Sequence, residues 1–249
     1  MYNSRKLATV IMAAGKGTRM KSDLPKVLHL VNGQPMITHV IKLSKAIGSE
    51  RIILILGHKK ELVIDYIKNE DVDYVIQEPQ LGTGHAVQQT KLLLKDFSGD
   101  VLVLSGDVPL LKKSTITKFA KIHHQTNAGA TVLTAIMENP FGYGRVIRKK
   151  DNTMDRIMEE TDCSYEQRKI KEINAGIYIF QAKALFMALN KIKNDNQQGE
   201  YYLPDTLKYI TESGKNIALH ISPEPMEISG VNTIEQLNEL NLIYKKWYG

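Results

Sequence analysis

Val10-Ile11-Met12-Ala13-Ala14-Gly15-Lys16-Gly17-Thr18-Arg19-Met20, followed by Asp23-Leu24-Pro25-Lys26-Val27-Leu28, sets a glycine-rich turn, an arginine and a lysine directly after an apolar, strand-like run. Glycines leave room for successive backbone N–H groups to converge on an anion, because no Cβ blocks the approach. A helix starting just beyond would add its positive end to the same spot. Arg19 and Lys26 supply two full positive charges, a set suited to a triphosphate. Two other phosphate loops are excluded by spacing. Met20 stands where the dinucleotide fingerprint needs its third glycine, and Thr18-Arg19 follow Gly17 where a Walker loop needs Lys-Ser/Thr. The competing reading is a tight strand-to-helix turn with two solvated cations.

Outward from this stretch, β-branched runs alternate with helical periodicity. Strands are expected at Thr9–Met12, Arg51–Leu56, Tyr74–Ile76, Val101–Leu104, Thr131–Ile136, Arg145–Ile147, Ile177–Phe180 and Ile217–Leu219. Helices are expected at Pro35–Ile47, Lys60–Lys68, Gly84–Leu94, Ser114–His124, Ala182–Ile192, Pro204–Ser213 and Thr233–Tyr248. The alternation predicts an α/β fold with a doubly wound, mainly parallel, Rossmann-like sheet. No repeat or low-complexity linker divides the 249 residues, so one domain is expected over 1–249.

In such a sheet, ligands bind beyond the carboxyl ends of the strands. Three polar segments belong there: Ala13–Arg19, Gln77–His85 and Ser105-Gly106-Asp107. The glutamine amide of Gln77 offers both a donor and an acceptor, and Gly82 allows a ring to come close. Thr83 either joins that site or caps the next helix. Asp107, after an apolar run and held by Gly106 and Pro109, suits a hard cation. Without a His/Cys ligand cluster, magnesium fits better than zinc. His85 has no metal-spaced partner and reads as packed or at the surface. His123 and His124, adjacent on a helix, are not expected to point the same way.

Composition narrows the class. With 43% hydrophobic and 24% charged residues the chain is ordinary for a globular protein. Neither an apolar run of membrane-spanning length nor a signal-peptide core is present, so no membrane association is expected. The lone cysteine, Cys163, excludes an internal disulfide framework and agrees with a cytoplasmic location; it reads as incidental. The net charge of +6 comes from scattered basic residues without interleaved aromatics, which suits small polyanions rather than nucleic acid.

The ordered set Ala-Ala-Gly-Lys-Gly-Thr-Arg-Met, Leu-Pro-Lys-Val-Leu, Gln-Leu-Gly-Thr-Gly-His-Ala, Gly-Asp-Val-Pro-Leu, Gly-Tyr-Gly-Arg, Glu-Ile-Asn-Ala-Gly and Gly-Glu-Tyr-Tyr-Leu resembles the sugar-nucleotide pyrophosphorylases. Within them it is most similar to the uridylyltransferase domain of the bacterial bifunctional N-acetylglucosamine-1-phosphate uridylyltransferase/glucosamine-1-phosphate acetyltransferases. The matches run from about Val10 to Asn232, and their order and spacing carry the specificity.

The resemblance implies a nucleotide-diphospho-sugar transferase fold. It places a nucleotide-binding part at about 1–110, a sugar-phosphate part at about 111–232 and a terminal helix at about 233–248. The substrates it implies are UTP and N-acetylglucosamine-1-phosphate, with Mg2+ as the cofactor. The product, UDP-N-acetylglucosamine, is a precursor for peptidoglycan and lipopolysaccharide. It assigns Ala13, Ala14, Gly15, Gln77, Gly82 and Thr83 to the uracil nucleotide. Arg19 and Lys26 fall on the triphosphate, and Asp107 and Asn232 on the metal. The sugar phosphate is left to Gly144, Glu159 and Asn174, with Glu159 preferred to Glu160 by its spacing. Read without the resemblance, Gly144 could turn a hairpin, Glu159 and Asn174 could be surface polars, and Asn232 could cap the last helix with Glu235.

Ser105, Ala175 and Pro204 depart from common family residues, and Ala175 adjoins the sugar position. A related reaction on another sugar phosphate or base, or a non-catalytic nucleotide sensor, stays open. The hexapeptide repeats of the bifunctional relatives do not occur in this sequence, so acetyl transfer is not expected of it. The sequence leaves the oligomeric state open.

Overall fold

The computed structural model describes residues 5–248, side chains through Trp247. In chain order the elements begin with β1 (Leu7–Ala13), the short β2 (Leu30–Val31) and β3 (Gln34–Pro35), and α1 (Met36–Ala46). Next come β4 (Arg51–Leu56), α2 (Lys60–Ile67), β5 (Asp73–Ile76), α3 (Thr83–Gln88), β6 (Asp100–Ser105) and α4 (Lys113–Thr126). The second half holds β7 (Ala130–Ile136), β8 (Arg145–Arg148), β9 (Met154–Met158), α5 (Tyr165–Arg168) and β10 (Glu172–Gln181). It closes with α6 (Ala182–Leu189), α7 (Thr206–Glu212), β11 (Ile217–Ile221) and α8 (Ile234–Tyr248).

The main sheet runs β11-β7-β10-β6-β1-β4-β5, and β8 and β9 extend it from β10. Pairings β1/β4, β1/β6, β4/β5 and β7/β11 are parallel, whereas β10 is antiparallel to both β6 and β7. The sheet is therefore mainly parallel, as the alternation predicts, with one reversed strand in its middle. That reversal brings the beginning of β10, which carries Glu172 and Asn174, to the same edge as the ends of β1, β6 and β7.

Alternate residues feed two cores, the signature of a sheet covered on both faces. Ile11, Leu54, Leu104 and Ile177 pack with α1, α2 and α4 on one side. Val10, Ile53, Val103 and Phe180 pack with α3, α6 and α7 on the other. A third cluster joins Met20, Val31, Met36, Leu110, Val231, Leu237 and Leu240. Met20 adjoins Arg19, Val231 adjoins Asn232 and Leu110 follows shortly after Asp107, so α8 packs against the loops that carry those residues. Among the described residues, no helix is long and apolar enough to cross a membrane.

The eight expected strands and seven expected helices all occur: Arg51–Leu56 keeps its bounds, the helix expected at Gly84–Leu94 is α-helical only to Gln88, and the others have shifted ends. β2, β3, β9 and α5 escaped the sequence pattern, and Pro35, expected to open the first helix, ends β3 instead. β9 reads Met-Asp-Arg-Ile-Met, with two exposed charged residues in its middle, and forms because β8 pairs with it. β10 begins earlier than the apolar run suggests, because polar Glu172 and Asn174 pair with β7 and are buried. No α-helix follows the glycine turn. A three-residue helical turn, Thr18–Met20, stands there and the chain reaches α1 only at Met36, so a helix dipole does not contribute at that point.

Candidate active site

The loop after β1 is fixed from both neighbouring strands. Gly106 N donates to Met12 O (2.9 Å), His58 N to Ala14 O (3.3 Å), and Gln80 Nε2 to the same Ala14 oxygen (2.5 Å). Ala13, Ala14 and Gly15 are thereby set beside the segment that follows β5. Gly17 is left-handed (φ 59°), and a Cβ built there would lie 2.9 Å from Lys26 Cβ. A glycine is required on both counts, and its bare backbone lets the Lys26 stem lie against the turn.

Behind Gln77 the second segment is equally constrained. Gln77 is buried, and its Nε2 donates to Gly82 O (2.9 Å) and lies 3.2 Å from His85 Nδ1. Thr83 does not cap α3 with its side chain; Gly82 holds the cap position. Instead Thr83 Oγ1 accepts from Leu203 N (3.0 Å), Gly84 N donates to Tyr201 O (2.7 Å), and Tyr201 N donates to Leu81 O (2.8 Å). The Gly199–Leu203 stretch thus clasps the loop. His85 is packed as expected, with burial lowering its pKa.

At the end of β6 the charged groups meet. Lys26 Nζ donates to Asp107 Oδ2 (2.5 Å) and to Asn232 Oδ1 (3.2 Å), and Arg19 NH2 donates to the same Asn232 oxygen (2.9 Å). Lys26 and Asp107 are 81 residues apart, and Lys26 and Asn232 are 206 apart. Asn232 does not cap α8. Thr233 Oγ1 accepts from Gln236 N (3.2 Å), and Gln236 Oε1 accepts from Asn232 N (2.7 Å), which turns the Asn232 side chain toward the sheet edge.

These contacts also test the donor set for a cation. A carboxylate oxygen and an amide oxygen converge on one positively charged nitrogen, so the site is already shaped for a cation. Magnesium characteristically takes one or two protein oxygens and completes its shell with phosphate and water. Asp107 and Asn232 fit that pattern. Among the described residues, no group of three or more His, Cys, Asp or Glu side chains could hold a metal.

The sugar-side residues also meet. Gly144 O accepts from Asn174 N (2.8 Å), so Gly144 stands immediately before β8, bonded to β10, rather than at a hairpin turn. A Cβ on Gly144 would come within 3.3 Å of Glu159 Oε1. Asn174 is buried, and its Nδ2 donates to the Tyr178 hydroxyl (2.6 Å) while its Oδ1 accepts from Gly176 N (3.0 Å). Neither Glu159 nor Asn174 is an ordinary surface polar. Glu160, the neighbour not chosen, is engaged elsewhere: Arg145 lies 2.7 Å from its Oε2, which also accepts from Gly142 N (3.2 Å).

Among the described residues, no cation forms an ion pair with Glu159. Burial pushes its pKa up to about 7, and Asp205, Asp162 and Glu200 add like charge. It lines a cavity of about 390 Å³ together with Asp162, Tyr202 and Asp205. A carboxyl poised near neutrality can donate or accept toward sugar hydroxyl and amide groups.

Sequence reasoning missed Tyr143. Its phenol lies near Ser229, Gly230 and Asp107, and burial and the nearby Asp107 charge raise its pKa. It links the sugar-side loop to the cation-side loop; the only sequence signal was its place between Gly142 and Gly144. The histidine pair also departs from expectation. His123 Nε2 and His124 Nε2 lie 3.5 and 3.0 Å from the two oxygens of Asp100, so both rings reach one carboxylate, at the opposite edge of the sheet. Cys163 is buried, with its pKa raised by burial, consistent with an incidental thiol.

Residues 8–224 match the nucleotidyl transferase family. The "Bifunctional protein GlmU" of Prochlorococcus marinus (strain NATL2A) is 47% identical over 235 residues, which cover 94% of this chain and 52% of that protein. The protein of the same name from Geobacter metallireducens is 46% identical over 234 residues, covering 94% and 49%. The chain spans about half the length of these curated relatives. Among solved structures, a UDP-glucose pyrophosphorylase complexed with UDP-glucose superposes with a TM-score of 0.73 at 18% identity, covering 97% of this chain and 99% of that one.

Proposed function

Because the chain belongs to the nucleotidyl transferase family, we propose that it joins UTP to N-acetylglucosamine-1-phosphate, releasing pyrophosphate and forming UDP-N-acetylglucosamine. The observation that carries this reading is the convergence of Arg19, Lys26, Asp107 and Asn232 at the carboxyl end of β6. The identity of 43–47% to proteins named GlmU supports the choice of sugar and base.

The phosphate oxygen of the sugar-1-phosphate forms a bond to the α-phosphorus of UTP, and the bond from that phosphorus to the β-phosphate oxygen breaks. The attacking oxygen is already ionised at neutral pH, so a protein base is not required. The barrier lies in bringing two polyanions together and in charge that accumulates as they react. Arg19 and Lys26 neutralise that charge, with Lys26 assigned to the α-phosphate. Ala13, Ala14, Gly15, Gln77, Gly82 and Thr83 hold the uracil nucleotide. Gly144, Glu159 and Asn174 orient the sugar phosphate. Asp107 and Asn232 would hold magnesium, which when bound supplies Lewis-acid charge neutralisation to the phosphates.

Pyrophosphate release tests the assignment. UTP, CTP and dTTP are each paired with N-acetylglucosamine-1-phosphate and glucose-1-phosphate in the presence of magnesium. The reading expects turnover to be fastest with UTP and the N-acetylated sugar. Turnover with glucose-1-phosphate alone would move the specificity to the pocket around Ala175. Nucleotide binding without turnover for any pair would replace the enzyme with a sensor.

A further inference from the structure

The ammonium of Lys26 stands where the two oxygen donors assigned to the cation converge. It is 2.5 Å from Asp107 Oδ2 and 3.2 Å from Asn232 Oδ1. A divalent cation that takes both oxygens displaces it, because two positive charges at such short range repel strongly. The reaction proposed above also asks the same ammonium to face a phosphate. Once a metal holds both oxygens, the phosphate is the partner left to the ammonium.

Only the tip of Lys26 needs to move between them. Its stem lies against Gly17, where a built Cβ would come within 2.9 Å of Lys26 Cβ. The phosphate turn and the Asp107 carboxylate thus flank a single lysine, and a lysine carries its charge on a flexible four-carbon stem. Arg19 holds Asn232 from the other side at 2.9 Å, so the amide oxygen stays in place when Lys26 leaves.

Resting on that functional reading, we infer that Lys26 occupies the cation site of the nucleotide-free protein, and that a divalent metal gains Asp107 and Asn232 only when phosphate groups draw the ammonium away. Metal and triphosphate then enter together. Metal alone binds weakly, because it must break a short, charge-assisted pair and leave the half-buried Lys26 ammonium without an anion. The benefit is a site whose buried carboxylate always has a positive partner.

The test uses Mn2+ as probe and follows the electron paramagnetic resonance signal of free Mn2+ with nucleotide-free protein. Lys26→Met should bind Mn2+ roughly tenfold or more tightly than the parent protein. Lys26→Arg keeps a cation against Asp107 and should bind as weakly as the parent. Lys26→Met combined with Asp107→Asn should lose the gain. Lys26→Gln provides the same comparison if the methionine variant does not fold. Equal Mn2+ affinity in parent and Lys26→Met, or a gain that persists without the Asp107 carboxylate, would overturn the inference. Failure to make UDP-N-acetylglucosamine would instead sink the functional reading. The Mn2+ comparison needs no turnover, so the two failures are distinguishable.

Discussion

β6 carries a buried aspartate near each end, and the two could hardly be held more differently. Asp100, at the start of the strand, is 2% exposed and faces His123, which is fully buried on α4 and braced by Thr131 at 2.7 Å. His124 and Arg5 complete its surroundings. Asp107, just past the end, is 7% exposed and pairs with Lys26 and, through it, Asn232. Asp100 is locked by a packed helix; Asp107 is held by side chains from loops that a ligand can re-engage. Burial alone therefore does not mark a functional carboxylate. What marks it is the source of its partners.

Breaking the Asp107 end should give the largest effect. Asp107→Asn removes the carboxylate donor of the cation site and should lower kcat by about three orders of magnitude or more, with little change in thermal stability. A steady-state assay beside a melting curve reads both. Lys26→Ala should lower kcat by roughly two to three orders of magnitude, the scale of one lost transition-state contact. Near-normal turnover in that variant would dissolve the contrast between the two ends.

Asp100→Ala should do the reverse. It removes the carboxylate that bonds His124 Nε2 at 3.0 Å and faces the buried His123 ring, and should cost about 1–3 kcal/mol of stability, while kcat of the folded protein stays unchanged. The pH dependence has a definite sign. Burial pushes the Asp100 pKa up, but the close approach of His123 and the charges of His123, Arg5 and His124 outweigh it, so the carboxyl sits below its ordinary 3.8. Its stabilisation is present above 3.8 and is lost as pH falls through the lower folded value, so the gap between parent and variant should close in acid. Urea titrations at neutral and acid pH would show it.

Glu159 sharpens the contrast in a gentler way. Its pKa rises from 4.5 to about 7, so it is most stable protonated, and stability present below 4.5 is lost as pH rises through about 7. Glu159→Gln should therefore gain stability at pH 8, by at most about 3 kcal/mol, and gain almost nothing at pH 4. The same variant should raise KM for the sugar phosphate more than it changes KM for UTP. A gain independent of pH would remove the ionised carboxylate as the cause.

Much of this arrangement is legible in the sequence because strand ends and turn residues are local signals. The run ending at Met12 and the glycines after it announce both β1 and its loop. Asp107 is visible because Gly106 and Pro109 bracket it after an apolar strand. Long-range partners leave no such trace: nothing near Asn232 discloses that it meets Lys26, 206 residues earlier, and only the family resemblance assigned it. Thr83 and Gly144 read locally as a cap and a turn because their partners, Leu203 N and Asn174 N, lie far along the chain. β9 was hidden by its charged centre, and the shared contact of His123 and His124 by the assumption of a regular helical spread.

The most direct test of the central claim is the formation of UDP-N-acetylglucosamine from UTP and N-acetylglucosamine-1-phosphate with magnesium, measured for the parent protein, Asp107→Asn and Asp100→Ala side by side. The account predicts turnover in the parent, near-complete loss in Asp107→Asn, and retained kcat in the folded fraction of Asp100→Ala. Comparable loss in both variants, or turnover that survives without the Asp107 carboxylate, would contradict it.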